Sequence, residues 1–192
     1  MKTDQRLVAA AASLLDSGGK RAVTIRAVAQ AVGMSHNAPY KHFEDRRALL
    51  SAVALQDFAA LTNAFAEVRQ LRVEPLAKLR QALRVFVSYA QEHPARYRLL
   101  YSDPDLAAGS GDLEAAVKPF AEVAAIVQEC QHAGDLPDVP NVELTGLIYA
   151  SVHGLLDLEA GGRLRKEKGF ADIDQGVDLL IKLLGLTRRS ET

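Results

Sequence analysis

The chain has 192 residues, 48% of them apolar, and a net charge of −1. That apolar share excludes a disordered chain, and the length suits one or two compact domains. The near-neutral total hides a division. Residues 1–50 carry eight Lys/Arg against four Asp/Glu, and the remainder carries 15 against 20. A basic head suited to a polyanion therefore precedes an acidic body.

No uninterrupted apolar run reaches the roughly 18 residues of a membrane span. Asp4, Arg6 and Asp16 break the apolar pattern of the first twenty residues, unlike a secretory leader. The expectation is a cytoplasmic protein with no membrane partner. Cys130 is the single cysteine and has no internal disulfide partner; it reads as a small buried helix residue.

Helical spacing recurs along the whole chain, and strand signals are missing, so the fold is read as all-α with about nine helices. Leu7, Ala11, Leu14 and Leu15 mark a first helix that Gly18-Gly19 ends. Thr24 is a good N-cap for a second helix, Thr24–Val32, which Gly33 stops. Ser35 opens a third, running to His42. Asp45 caps a long fourth helix, with Leu49, Leu50, Val53, Phe58, Leu61 and Phe65 on it, ending near Arg69. Pro75 starts a helix to Glu92, and His93-Pro94 separates it from another ending at Tyr101. Ser102–Gly111 reads as loop. Asp112–Ala133 is helical, and Pro119 must bend it or mark its true start. Asn141 N-caps a helix to Ala160, and a last helix covers Asp172–Leu186.

The second and third helices, joined at Gly33, form a helix-turn-helix, too small to fold alone. Leu7, Leu14, Leu15, Phe43, Leu49 and Leu50 offer it an apolar platform. His36, Asn37 and Ala38 lie in the first turn of the third helix, where a recognition helix meets base edges. Asn pairs bidentately with adenine, and Ala touches a thymine methyl. Thr24 and Ser35 stand at helix starts, whose free N–H groups suit phosphate. Tyr40, Lys41, His42 and Arg46 can donate to phosphates, and Arg26 adds positive charge on the preceding helix. A purely structural two-helix turn is the competing reading.

The stretch T24-I-R-x-V-A-x-x-V-G-x-S-x-x-x-x-Y-x-H-F-x-D-R-x-x-L resembles the N-terminal domain of the TetR family of bacterial transcriptional repressors. The resemblance covers about residues 4–50 and is most specific at Tyr40-x-His42-Phe43. It departs from the family at Asn37 (often Gly), Pro39 (often Leu) and Arg46 (usually Lys). The "APY-KHF" form is similar to a subgroup with a C-terminal Trp-His-Gly element, represented here by Val152-His153-Gly154 without the Trp. The resemblance implies a DNA-binding domain over 1–50 and a helical effector-binding and dimerisation domain over 51–192. It implies a homodimer on palindromic double-stranded operator DNA, released by a small-molecule effector, with no enzymatic activity. The effector would act by swinging the long helix from Asp45.

Within the body, the helices 141–160 and 172–186 are apolar on more than one face, which suggests a four-helix dimer interface. The candidates are Leu144, Leu147, Ser151, Leu155, Leu158, Val177, Leu180 and Leu184. The small residues Gly146, Ala150, Ser151 and Gly154 would allow close helix approach. Candidate pocket residues are Phe58, Phe86, Tyr89, Tyr97, Tyr101, Phe120, Tyr149 and His153, weighed against ordinary core packing. The histidines share no ligand spacing, so no metal and no cofactor are expected. Two further readings stay open: a constitutive DNA-binding factor without a ligand, and an all-α enzyme using His153 with Asp157 one turn later.

Overall fold

The structure, a computed structural model, describes residues 2–103 and 110–186. Eight α-helices are found among them: α1 Thr3–Ala22, α2 Ile25–Ala31, α3 Arg46–Arg69, α4 Pro75–Glu92, α5 Pro94–Ser102, α6 Ser110–Ala133, α7 Asn141–Ala160 and α8 Ile173–Leu186. Two 3-10 turns, Ala38–Lys41 and Lys166–Lys168, complete the elements. Most of the loop expected over Ser102–Gly111 lies outside the described residues. Pro119 neither starts nor stops α6, which runs through it.

The chain forms two compact units. One comprises Met1–Ala60 with Glu92–Val117, and the other Leu61–Gln91 with Lys118–Thr192. This division differs from a simple cut at residue 50. The first unit recruits α5, whose Leu99 joins Leu7, Leu15, Val28, Leu49, Val53 and Phe58 in one core. A three-helix head alone offers little apolar area to bury, and small cores are marginal. α3 contributes residues to both units in sequence. By length and composition alone it would suit a membrane span. Its apolar residues Leu49, Leu50, Val53, Phe58, Leu61 and Phe65 are instead buried in protein.

In the second unit, Leu79, Phe86, Ile126, Val127, Ile148, Val152, Val177 and Ile181 are buried, and α7 packs on α8. Ion pairs Arg69–Glu122 (2.9 Å), Lys78–Glu129 (2.8 Å) and Arg80–Asp178 link its helices. Asn141 does not cap α7 with its side chain. Its Nδ2 donates instead to the Ala124 carbonyl (3.1 Å) and Gln131 Oε1 (3.2 Å), and Pro140 stands at the cap. Asp172 does cap α8, with its Oδ1 accepting from the Gln175 N–H at 2.8 Å. Cys130 is buried, and burial together with Asp135 and Glu129 pushes its thiol up to about 12. It is therefore a thiol at neutral pH, and a poor nucleophile.

Candidate nucleic-acid interface and effector site

The reading unit is built on α2. Thr24 Oγ1 accepts from the Ala27 N–H at 3.1 Å, as an N-cap should. At the other end Gly33 adopts φ 71°. The Gly33 N–H bonds to the Gln30 carbonyl (3.1 Å) and the Met34 N–H to that of Ala29 (2.9 Å). This is the paired-bond stop that needs a left-handed residue, which glycine adopts without a Cβ clash. Arg6 of α1 donates to the Val32 carbonyl at 3.1 Å and fixes the same end.

The segment after the turn differs from the expected helix Ser35–His42. Only Ala38–Lys41 is helical, as a 3-10 turn, and Ser35 does not cap it. The reason is Pro39. It has no N–H to place in an α-ladder, and its buried ring anchors the segment on the unit. The bonds that remain are mostly i→i+3 in kind, Tyr40 N–H to the Asn37 carbonyl and His42 N–H to that of Pro39, with one i→i+4 bond from the Phe43 N–H to the Pro39 carbonyl. Around the buried proline, Ser35, His36, Asn37, Tyr40, Lys41 and His42 are all exposed, as are Thr24 and Arg26 on the α2 side. Tyr40 is 55% exposed, unusual for an aromatic side chain with no packing role. Ala38 is half-buried. Asp45 then starts α3 through its Oδ1, which accepts from the Ala48 N–H at 2.7 Å.

Arg46 stands apart from the other predicted contacts. Its Nε donates to the Val23 carbonyl at 2.5 Å and its Nη2 to the Lys20 carbonyl. Those donors are spent inside the fold, closing the orphan carbonyls at the end of α1.

The pocket candidates fall into two groups. Phe58, Tyr97 and Tyr101 belong to the first unit, with Phe58–Tyr101 ring centroids 5.9 Å apart and Tyr97–Tyr101 5.3 Å. Phe86, Phe120, Tyr149 and His153 belong to the second. There Tyr149 meets Phe86 at 6.0 Å, Phe120 at 5.8 Å and His153 at 4.2 Å. Tyr89 is half-buried on α4. Burial pulls the His153 pKa down to about 4, so its ring is neutral at pH 7. Asp157 is exposed, and its carboxylate takes Arg163 Nη2 at 3.5 Å.

The dimer candidates also divide. Leu144 and Val177 are buried in their own subunit's core, because they face inward beside Ile148 and Ile181. Ser151, Leu155, Leu180 and Leu184 are half-buried. Leu147 and Leu158 are exposed, and with Ala150 and Gly154 they form one open stripe along α7. A Cβ at Gly146 or Gly154 would meet nothing within 4 Å. The glycine that brings helices together within the subunit is Gly176, where a Cβ would lie 2.8 Å from Leu155 Cδ1. Leu179 and Leu183 on α8 are exposed as well.

Residues 7–53 match the model of the bacterial regulatory proteins of the tetR family, and residues 79–184 match that of the tetracyclin repressor-like C-terminal domain. The chain belongs to the TetR family. It is therefore a transcriptional regulator of a DNA-binding kind, built on an N-terminal helix-turn-helix domain. A protein of unknown function from Rhodococcus sp. RHA1 is similar at 29% identity and a TM-score of 0.81, over 97% of this chain and 95% of that one. The TetR-family regulator PfmR from Thermus thermophilus has 17% identity and a TM-score of 0.67, over 94% and 97% of the two chains. SmeT, the repressor of the Stenotrophomonas maltophilia multidrug efflux pump SmeDEF, has 15% identity and a TM-score of 0.66, over 96% and 89%. At such identities PfmR and SmeT show the shared fold alone. No functionally curated protein matches the chain.

Sequence reasoning missed three contributors to this TetR-family head: Arg6, the backward reach of Arg46, and Arg96. Arg96 bonds Asp16 and Asp57. One signal was available. Asp57 follows Val53 and precedes Leu61 at four-residue spacing, so a carboxylate lies on the inner face of α3. A buried carboxylate needs a partner.

Proposed function

We propose that this regulator is a cytoplasmic repressor that binds a two-fold symmetric operator as a homodimer and leaves it when a small effector fills the body. The observation that carries the DNA reading is the row Ser35, His36, Asn37, Tyr40, Lys41 and His42, exposed on a segment held from behind by buried Pro39. A polar and aromatic row on a rigid support suits base edges and phosphates better than packing. Asn37 and His36 read bases, while Thr24, Arg26, Tyr40 and Lys41 position the backbone.

The exposed α7 stripe of Leu147, Ala150, Gly154 and Leu158, with Leu179 and Leu183 of α8, is the proposed self-complementary surface. Its open glycines would let a partner helix approach closely. The effector is small and mainly apolar, meeting Phe86, Phe120, Tyr149 and neutral His153. Tyr149 and His153 supply its polar contacts. Because α3 has residues in both units, an effector that displaces its far half changes the placing of the reading units. The repressor reading follows the resemblance of the reading domain to the TetR family of repressors.

Operator affinity measured with and without a ligand found by thermal shift tests the release step. A coupling of about 1–3 kcal/mol is expected, and operator DNA must weaken ligand binding by the same factor. A tight body ligand that leaves operator affinity unchanged contradicts the mechanism.

A further inference from the structure

α1 is not one continuous helix. Gly19 takes φ 68° and ψ −174°, and the turn beyond it carries Lys20 to Ala22 before Thr24 opens α2. The direction of that last turn therefore sets where α2 and the reading segment begin. Beyond the bend Val23 is fully buried and Arg46 bonds the Lys20 and Val23 carbonyls, but Gly19 itself is loosely packed. A Cβ at Gly19 would meet nothing within 4 Å, and a cleft of about 240 Å³ opens beside it, lined by Lys20, Ala95, Leu99 and Ser102 among others.

Ion pairs hold the two sides of the bend as well. α5 packs on α1 and grips it on both sides of Gly19. Before the break, Arg96 forks onto Asp16, with Nε to Oδ1 at 2.9 Å and Nη2 to Oδ2 at 2.5 Å. After it, Lys20 Nζ meets Asp103 Oδ2 at 2.6 Å. The same Arg96 gives Nη1 to Asp57 Oδ1 of α3 at 3.3 Å, and Asp57 is only 4% exposed. Burial works against the charge on Arg96, but bonding and attraction from Asp16 and Asp57 outweigh it and raise its pKa. His93 Nδ1 lies 3.4 Å from the same Asp16 carboxylate. One guanidinium thus joins α1, α3 and α5 at the helix whose bend leads into the reading unit.

We infer that Arg96 is a positioning residue for DNA recognition: through Asp16 it fixes the bend of α1 at Gly19 and thereby the pose of α2 and the reading segment. This rests on the DNA-reading role proposed above. A fork onto a carboxylate fixes direction as well as distance, which a lysine cannot do.

The test compares three quantities: affinity for a duplex selected from a random pool by the parent protein, affinity for unselected duplex, and melting temperature. Asp16→Asn is the first variant, since Asp16 is partly exposed and Arg96 keeps Asp57. Removing an acidic charge should strengthen binding to any duplex by simple electrostatics. The inference predicts the opposite for the selected duplex, a loss of about five- to tenfold, the low end of coupling between linked sites. Unselected duplex should be bound as well or slightly better. The second variant is Arg96→Gln with Asp57→Asn, which leaves no buried carboxylate unpaired. It should show a similar loss, and adding Asp16→Asn to it should cost nothing further. An Asp16→Asn protein that binds the selected duplex as well as the parent overturns the inference. So do losses that simply add, or losses equal on both duplexes. A parent that selects no sequence defeats the DNA-reading role itself, and the inference with it.

Discussion

Arg46, in the first turn of α3, reaches back to the last turn of α1, its Nε 2.5 Å from the Val23 carbonyl oxygen and its Nη2 bonded to that of Lys20. Both acceptors flank the entry to α2. The arginine therefore closes the reading unit from behind. Charge-assisted hydrogen bonds of this kind contribute about 1.5–3 kcal/mol each to stability in mutational series, less where solvent reaches them.

Arg46→Ala should lower stability by about 1–3 kcal/mol and weaken binding to the selected duplex more than to unselected duplex. Arg47→Ala, on an exposed neighbour, should change stability by less than about 0.5 kcal/mol. Urea titrations of the two variants make the comparison. Equal stability would show that the Arg46 bonds contribute nothing net.

Asn37→Ala should act differently. Asn37 is exposed at the start of the 3-10 turn and makes no capping bond there, so stability should hold. Affinity for the preferred site should fall by about 1–3 kcal/mol, with preference relaxed at one base position. Tyr40→Phe should weaken all sequences without altering preference. Selection from a random pool with each variant reads both effects. An unchanged preference for Asn37→Ala removes its base contact.

The two kinds of leucine on α7 should separate cleanly. Leu147→Glu places a charge on the exposed stripe, and is expected to yield a folded monomer by light scattering. Leu144→Ala hollows the subunit's own core and should cost about 2–5 kcal/mol of stability. A Leu147→Glu protein that stays dimeric would place the interface elsewhere.

His153 gives the second unit a pH dependence. Its folded pKa of about 4 lies below the 6.5 of an unperturbed histidine, because burial disfavours the charged ring. The unfolded chain binds a proton first as the pH falls. The contribution is therefore fully present above about pH 6.5 and is lost between there and about pH 4, by at most about 3 kcal/mol. His153→Phe should flatten that part of the stability profile while leaving operator binding and dimerisation intact, and it should damage induction. A parallel acid profile in the variant would show that another group titrates.

Much of this was legible in the sequence for plain reasons. Thr24, Asp45 and Pro75 start helices through local chemistry, and Gly33 stops one, so neighbouring residues suffice to place those boundaries. The inner residues Leu49, Val53, Phe58 and Leu61 follow from helical spacing alone. The failures are equally physical. Pro39 in the first turn of a helix is tolerated, but the segment is so short that losing those bonds leaves only a 3-10 turn at Ala38–Lys41. Asn141 has the chemistry of a cap, yet a better set of acceptors at Ala124 and Gln131 draws its amide away. Leu144 and Leu147 look alike by residue type. Which of them faces inward depends on the placing of α8, which spacing on α7 cannot supply. Arg96 was invisible because its partners are 80 and 39 residues away.

The central claim is that the exposed row from Ser35 to His42 reads DNA in a symmetric dimer. Footprinting on the duplex selected from a random pool, repeated across a salt series, tests it most directly. Two protected half-sites are predicted on one face of the duplex, about 34–36 Å apart. Affinity should fall steeply as salt rises, with a slope near about −0.9 for each phosphate neutralised. A single unpaired half-site, or affinity indifferent to salt, would contradict the account.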